Sequence, residues 1–213
     1  MQVGRLLNSV LVFCRWVTYF ALLNLLWLGC TLLGGIILGL APSTVGMYAV
    51  ARKTAMGEED IAVVKTFWSV YRREFLRSNG LALTLTVIGL VWYFDLNFFR
   101  QFEGTFFTVM NYFMMMVGLA FIILLSYILP VYVHYDMKLL HYLKQSLLIG
   151  FLQPGNLILM LIGTLSTYYF FIYFPGFIPI FGLTIFVHLN MWFAFKCFDS
   201  IEDIKVRRHF AKA

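Results

Sequence analysis

The chain has 213 residues, of which 62% are hydrophobic and only 12% are charged. Its apolar blocks of about 20 residues are too long and too numerous for the core of a soluble domain, and the period-two alternation of outer-membrane strands is absent. The net charge of +6 is explained by membrane topology and attraction to anionic lipids, so it gives no reason to predict nucleic-acid binding.

Five apolar blocks are each long enough to cross a bilayer as a helix, which takes about 20 residues. Because the hydrocarbon core offers the backbone no hydrogen-bond partners, such blocks must be helical. The sequence therefore predicts an all-α, polytopic transmembrane helix bundle that fills the chain as a single membrane domain. The predicted spans are residues 16–40, 81–99, 106–133, 156–174 and 177–195.

The first span is expected to end in a glycine-rich stretch before Pro42, which should break the helix and be followed by a short helix over residues 44–56. An alternative arrangement has a first span over about residues 6–28, a turn at 29–35, and a broken half-span that returns over the next 16 residues. Five spans place the N terminus outside the cell. The alternative, with six, places it inside.

Residues 61–77 predict an amphipathic helix on the cytoplasmic side, because aromatic and aliphatic residues recur at three- and four-residue steps and basic residues take other faces. Such a helix can anchor the chain at the membrane surface or dock a partner. A weaker stretch of the same kind, residues 137–151, precedes the fourth span. The candidate residues for docking a partner or lipid are Arg52, Lys53, Lys65, Phe67, Trp68, Arg72 and Arg73.

The basic residues predict the orientation of the chain. Of the sixteen Lys and Arg residues, thirteen lie in residues 42–79, in residues 134–155 or in the C-terminal tail. Since Lys and Arg are retained on the cytoplasmic side, we expect both long connections and the C terminus in the cytoplasm of a multi-pass cell-membrane protein.

Polar residues inside the spans are few. Only His188, two residues before Asn190, is an ionisable residue well inside a predicted span, and we interpret it as an interhelical hydrogen-bonding residue in preference to a proton carrier. Asn24 is a second polar candidate for helix packing. Gly35 and Gly39 have the small-xxx-small spacing that lets helices approach closely.

The sequence contains no catalytic or metal-binding motif: no paired carboxylates within a span, no phosphate-binding glycine loop and no zinc motif. The three cysteines are scattered, which argues against a disulfide framework or a metal site. We therefore predict no enzyme activity, no cofactor and no metal. The ATPase-docking loop of an importer permease is also missing, so the chain is not expected to be such a permease itself.

Three segments carry a family resemblance. Residues 24–27 read Asn-Leu-Leu-Trp, residues 47–53 read Met-Tyr-Ala-Val-Ala-Arg-Lys, and residues 64–79 contain Phe-Trp followed by Tyr-Arg-Arg-Glu-Phe. Together they resemble the YesL-like integral membrane proteins of Gram-positive bacteria. The resemblance implies an association with carbohydrate ABC importers, and it carries over no catalytic residues.

Two functional hypotheses follow. The first is a non-enzymatic accessory subunit or assembly factor of a carbohydrate ABC importer, with membrane lipids and the importer's permease subunits as partners. The alternative is a small stand-alone transporter or channel for a neutral solute, with assembly as a homo-oligomer. The scarcity of charge inside the spans favours the first hypothesis.

Overall fold

A computed structural model describes residues 2–58 and 60–210, with side chains for residues 9–58 and 60–201. This part of the chain contains seven α-helices and a short 3-10 turn, and no β-strand. The all-α fold predicted from the sequence is therefore confirmed. The helices are α1 (Gln2–Leu33), α2 (Ile37–Ala55), α3 (Val63–Arg100), α4 (Thr105–His134), α5 (Leu139–Leu152), α6 (Pro154–Tyr173) and α7 (Ile178–Phe210), with the 3-10 turn at Pro175–Phe177.

Among the described residues, five helical segments are long and apolar enough to cross a membrane, which confirms a multi-pass membrane protein. Their outer faces carry many exposed large apolar side chains, which suits contact with lipid acyl chains. The candidate spans are Ser9–Leu33, Val63–Arg100, Thr105–His134, Pro154–Tyr173 and Pro175–Ile201.

α1 and α2 form an antiparallel hairpin, which differs from the first span predicted over residues 16–40. The Tyr19 hydroxyl lies 2.8 Å from the Thr54 hydroxyl, and Trp27 Nε1 donates to the Thr44 hydroxyl at 3.1 Å. The alternative arrangement, in which a helical segment returns after a glycine-rich turn, is therefore closer to the structure.

The turn of this hairpin depends on glycine. Gly35, predicted as a helix-packing residue, instead forms the turn itself at φ +74°, where glycine has no steric penalty. Ile36 follows with φ 66° and ψ −71°, and the Ile37 N–H donates to the Gly35 carbonyl at 2.8 Å in a γ-turn. Gly39 packs so closely on the Thr31 carbonyl that a Cβ at position 39 would overlap it.

Pro42 lies inside α2 and does not end it. Proline has no N–H, so the Leu38 carbonyl one turn earlier loses its helical donor. Asn79 Nδ2, on α3, donates to this carbonyl at 2.9 Å and replaces the missing bond. The predicted break is wrong because a side chain from a neighbouring helix satisfies the backbone group that proline leaves unpaired.

α2 is the central helix of the bundle and contacts α1, α3, α4 and α7. Its side chains Val45, Met47, Tyr48 and Val50 are buried among those neighbours. The Tyr48 hydroxyl donates to Asn190 Oδ1 of α7 at 3.1 Å, so a polar contact inside the bundle also joins the two helices. The longer helices α1, α3, α4 and α7 therefore pack around α2.

α3 and α4 form a second antiparallel hairpin that uses small residues at its interface. The Phe121 ring packs against Gly89, and the Trp92 ring packs against Gly118. Trp92 Nε1 also donates to the Met114 carbonyl at 2.8 Å. α5 then packs against α4, and α6 and α7 pack together as a third hairpin.

Candidate functional site

Phe67 is the one predicted docking residue that the structure places in the core. Its side chain is 0% exposed, and its ring would lie 3.3 Å from a Cβ built on Gly46 of α2. A partner or lipid cannot reach it. Phe67 is instead a packing residue that joins α3 to α2, and it needs the glycine opposite it for this close approach.

Three other predicted docking residues, Lys65, Trp68 and Arg72, are exposed on the face of α3 opposite Phe67, and we call them the outer ridge. Trp68 is 44% exposed, and its ring stacks on Tyr71 with centroids 5.6 Å apart. The Tyr71 hydroxyl donates to the Cys30 carbonyl of α1 at 3.0 Å. The exposed indole therefore rests on a ring that is itself fixed to α1.

The remaining predicted residues, Arg52, Lys53 and Arg73, line a crevice of about 540 Å³ between α2, α3 and the end of α4. The single docking surface expected from the sequence is thus divided into an outer ridge and this crevice. Four basic and two acidic side chains line the crevice, so its formal charge is positive. Its polar and charged lining comprises Arg52, Lys53, Thr66, Arg73, Glu74, Arg77, Tyr132, His134, Tyr135, Asp136 and Tyr142.

Glu74 is the buried acid of the crevice wall. Its Oε1 accepts a hydrogen bond from Arg73 Nε at 2.8 Å, and its Oε2 accepts one from the Tyr132 hydroxyl at 2.9 Å. The side chain of Glu74 is 11% exposed, whereas that of Arg73 is 71% exposed. The carboxylate is therefore compensated inside the protein, tethers α3 to α4, and holds Arg73 at the rim.

Arg52 and Lys53 lie in the last turn of α2, where the helix dipole favours cations. Arg52 Nε donates to His134 Nδ1 of α4 at 3.4 Å, and Lys53 Nζ lies 3.0 Å from Glu58 Oε2. The His134 ring in turn packs on the Phe198 ring of α7, with centroids 4.6 Å apart. α2, α4 and α7 thus meet at this end of the crevice.

A second cavity, of about 640 Å³, adjoins the crevice and shares Arg77, Tyr132, Asp136 and Tyr142 with it. We call it the groove. A Cβ built at Gly80 on its wall would meet no atom within 4 Å, so α3 leaves open space there. Its remaining lining residues, from α3 and the segment that leads into α5, are Gly80, Met137, Lys138 and Leu139.

The sequence pattern did not single out Glu74, Arg77, Tyr132 or Asp136 as site residues. One signal for the first of them is present: Glu74 is the only acid between residues 61 and 94, and three arginines lie within three residues of it. Within the part of the chain whose side chains are described, no group of three or more His, Cys, Asp or Glu residues is placed to hold a metal ion. The chemistry that the crevice offers is charge-assisted hydrogen bonding, since arginine matches the oxygens of phosphates and carboxylates.

Asn24 and His188, the two polar residues predicted to pack helices together, each form a hydrogen bond between α1 and α7. Asn24 Nδ2 on α1 donates to the Pro179 carbonyl at 2.7 Å. His188 on α7 places Nε2 3.1 Å from the Tyr19 hydroxyl and Nδ1 2.9 Å from the Thr184 carbonyl. The bond from Asn24 and the one between His188 and Tyr19 connect α1 with α7, apart from both the outer ridge and the crevice, whereas the bond to Thr184 lies within α7.

Comparison with known proteins places the chain among proteins whose roles are undefined. Residues 20–96 match the family model described as "Protein of unknown function, DUF624". In Bacillus subtilis (strain 168), the uncharacterized protein YesV is 36% identical over 189 residues, which cover 89% of this chain and 91% of YesV. The uncharacterized protein YteU is 34% identical over 92% of this chain and 88% of its own length, and YesL is 28% identical over 95% and 96%. No solved structure matches this chain.

Proposed function

This chain belongs to the DUF624 family of proteins of unknown function, in agreement with its resemblance to the YesL-like proteins, and from that premise we propose that it is a non-enzymatic accessory subunit or assembly factor of a membrane transport complex. By this proposal its partner is a permease subunit of a carbohydrate ABC importer. The choice of partner follows from the family resemblance. The mode of contact follows from the outer ridge.

The observation that carries the proposal is the composition and exposure of the outer ridge. Lys65, Trp68 and Arg72 follow one another at three- and four-residue steps, opposite the face that packs on α2. Tryptophan and arginine are the residue types most enriched among those that dominate binding energy in protein interfaces. Because Trp68 already stacks on Tyr71, its ring has less freedom to lose when a partner binds.

The charge of the outer ridge defines the surface it would bind. Lys65 and Arg72 are both positive, and the acid nearest to Arg72 in the sequence, Glu74, is buried and bonded to Arg73. A complementary partner therefore presents acidic side chains around an apolar contact for Trp68. We place the ridge on the cytoplasmic side with the C terminus, on the basis of the Lys and Arg distribution, so the partner surface is a cytoplasmic loop or helix of the permease.

Charge reversal of the ridge tests this proposal. The double variant Lys65→Glu/Arg72→Glu should co-purify at least about tenfold less permease than the wild type in mild detergent, because two attractive contacts become repulsive. Quantitative mass spectrometry of the affinity-purified complex gives the measurement. Lys144→Glu/Lys196→Glu is the matched control, since it makes the same change in charge at exposed positions outside the ridge and should retain the partner.

Two results would contradict the proposal. Undiminished permease recovery with the ridge variant would exclude the ridge as the docking surface. Saturable uptake of a neutral solute by the purified chain alone in liposomes would exclude a purely accessory role and favour the transporter hypothesis instead.

A further inference from the structure

We propose that the crevice and the groove together form a binding site for one anionic phospholipid, with the phosphate in the crevice and the glycerol and upper acyl segments in the groove. The site lies on a different face of α3 from the outer ridge. The proposed lipid site therefore does not depend on the proposed docking of a permease.

The crevice and the groove carry a net positive charge. They are lined by five basic residues and two acidic ones, and because Lys53 also pairs with Glu58 outside the two cavities, a formal excess of two positive charges remains. Arg52 and Arg73 are each held through Nε, by His134 and Glu74 respectively, and these bonds do not use the terminal guanidinium nitrogens. Those nitrogens are the donors that pair with the oxygens of a phosphate. The five basic residues are Arg52, Lys53, Arg73, Arg77 and Lys138.

An uncharged stretch of α3 beside the basic residues favours a phospholipid over a small anion. From Gly80 to Phe94, α3 carries no charged residue, whereas its preceding turns carry three arginines. Gly80 leaves the groove open, and Val87 and Val91 follow at seven- and four-residue steps, 51% and 55% exposed. A phosphate beside Arg77 would therefore have an apolar face of α3 directly next to it, along which acyl chains can lie.

The start of α5 also lines the groove. Lys138 immediately precedes this helix, and with Met137 and Leu139 it forms the wall of the groove opposite Gly80. A cation next to apolar side chains suits the boundary between headgroups and hydrocarbon, where a lysine can bury its stem and keep its ammonium polar. The α3 wall therefore passes from arginines to apolar residues, and the facing wall presents one cation between two apolar side chains.

The test measures thermal stabilisation of the purified full-length chain in neutral detergent on addition of phosphatidylglycerol, phosphatidylcholine or sodium phosphate. We expect phosphatidylglycerol to stabilise the wild type at lower concentration than either of the other two. Arg77→Gln/Lys138→Gln should raise the phosphatidylglycerol concentration for half-maximal stabilisation about thirtyfold, since each basic group contributes on the order of fivefold. Lys65→Gln/Arg72→Gln, with the same loss of charge on the outer ridge, should leave that concentration unchanged.

A second variant tests the groove without changing its charge. It provides the test of lipid binding if the charge variant does not fold. Gly80→Leu should fill the groove and weaken phosphatidylglycerol binding at least about tenfold, because a leucine side chain would occupy the space of the glycerol and acyl segments. Gly29→Leu is the matched control, since position 29 also faces open space and lies outside both cavities. Equal responses of Gly80→Leu and Gly29→Leu would overturn the proposal. So would equal effects of the two lipids, or an equal effect of sodium phosphate.

Discussion

At the scale of single residues, the pair of Pro42 and Asn79 explains how a proline inside a helix is accommodated within the bundle. Pro42 leaves the Leu38 carbonyl without its helical donor, and Asn79 Nδ2 supplies one at 2.9 Å. The same Nδ2 donates to the Phe75 carbonyl at 2.7 Å within α3, which fixes the amide in place. The proline is tolerated because its partner is held on a rigid neighbouring helix.

Replacing Asn79 should show how far the stability of the protein depends on its hydrogen bond to the Leu38 carbonyl. We expect Asn79→Leu to lower the free energy of unfolding by about 1 kcal/mol, because the Leu38 carbonyl loses its donor. In a Pro42→Ala background the alanine N–H can bond to Leu38, so most of that loss should disappear. Reversible unfolding in mixed micelles gives the free energy of unfolding of the wild type, the two single variants and the double variant. Strictly additive effects of the two substitutions would contradict the account.

His188 gives a second prediction at this scale. Its Nε2 lies 3.1 Å from the Tyr19 hydroxyl of α1, and its Nδ1 lies 2.9 Å from the Thr184 carbonyl of its own helix, so the ring is held in α7 and makes a hydrogen bond to α1. His188→Asn and His188→Gln should therefore leave importer-dependent growth on the cognate sugar largely intact, with at most about 1–2 kcal/mol lost in stability. Abolished uptake at normal protein level and normal partner recovery would instead indicate a proton relay.

At the scale of elements, the α1–α2 hairpin exists because glycines allow two helices to meet at a sharp turn. A Cβ at Gly34 would overlap the Cα of Gly39, and a Cβ at Gly39 would overlap the Thr31 carbonyl. Both clashes involve backbone atoms, which cannot move aside as a flexible side chain can. Gly35 at φ +74° adds a conformational requirement that other residues meet poorly.

The matched pair Gly39→Ala and Gly29→Ala tests whether close packing or helix propensity dominates. Gly39→Ala should destabilise the protein by about 2–3 kcal/mol, because the new methyl group forces the hairpin apart. Gly29→Ala, at a helical position with open space around it, should be neutral or stabilise by up to about 1 kcal/mol. Thermal unfolding of both variants in the same detergent provides the comparison, and equal melting temperatures would refute the packing argument.

At the scale of the whole molecule, α2 runs antiparallel to α1 and so reverses the direction of the chain before α3 begins. The chain enters with α1 and returns with α2, and the region from Arg15 to Tyr19 shares a cavity with Glu58 and Asp60 of the α2–α3 connection. This part of α1 and the α2–α3 connection therefore lie at the same end of the helix bundle. Two further hairpins then bring α7 back to the end of α4, where Phe198, twelve residues before the end of α7, packs on His134.

This arrangement predicts that both termini face the cytoplasm. In a cysteine-free background, cysteines placed at Ser69 and Lys205 should resist an impermeant external reagent, and one at Gln101 should react with it. A fluorescent reporter that folds only in the cytoplasm should be active at either terminus. An inactive N-terminal fusion beside an active C-terminal one would restore the five-span orientation and show that α2 does not act as a return crossing.

The sequence by itself determined the membrane class and the all-helical fold. These features follow from local composition, because a run of about 20 apolar residues in lipid has no alternative to a helix. The sequence also predicts a helix over residues 61–77, because its amphipathic pattern is local. In the structure this segment and the second predicted span form one continuous helix, α3.

Tertiary structure alone decided what lies between the first span and that helix, and which basic residues act together. A single sequence does not reveal that Asn79 donates to the Leu38 carbonyl that Pro42 leaves unpaired, so the sequence pattern predicts a helix break at the proline. Nor does it reveal that Glu74 and Tyr132, 58 positions apart, meet through a hydrogen bond and set Arg73 at the crevice rim. Helix periodicity assigns a residue to a face, but only the packing of neighbouring helices determines whether that face is core, crevice or open surface.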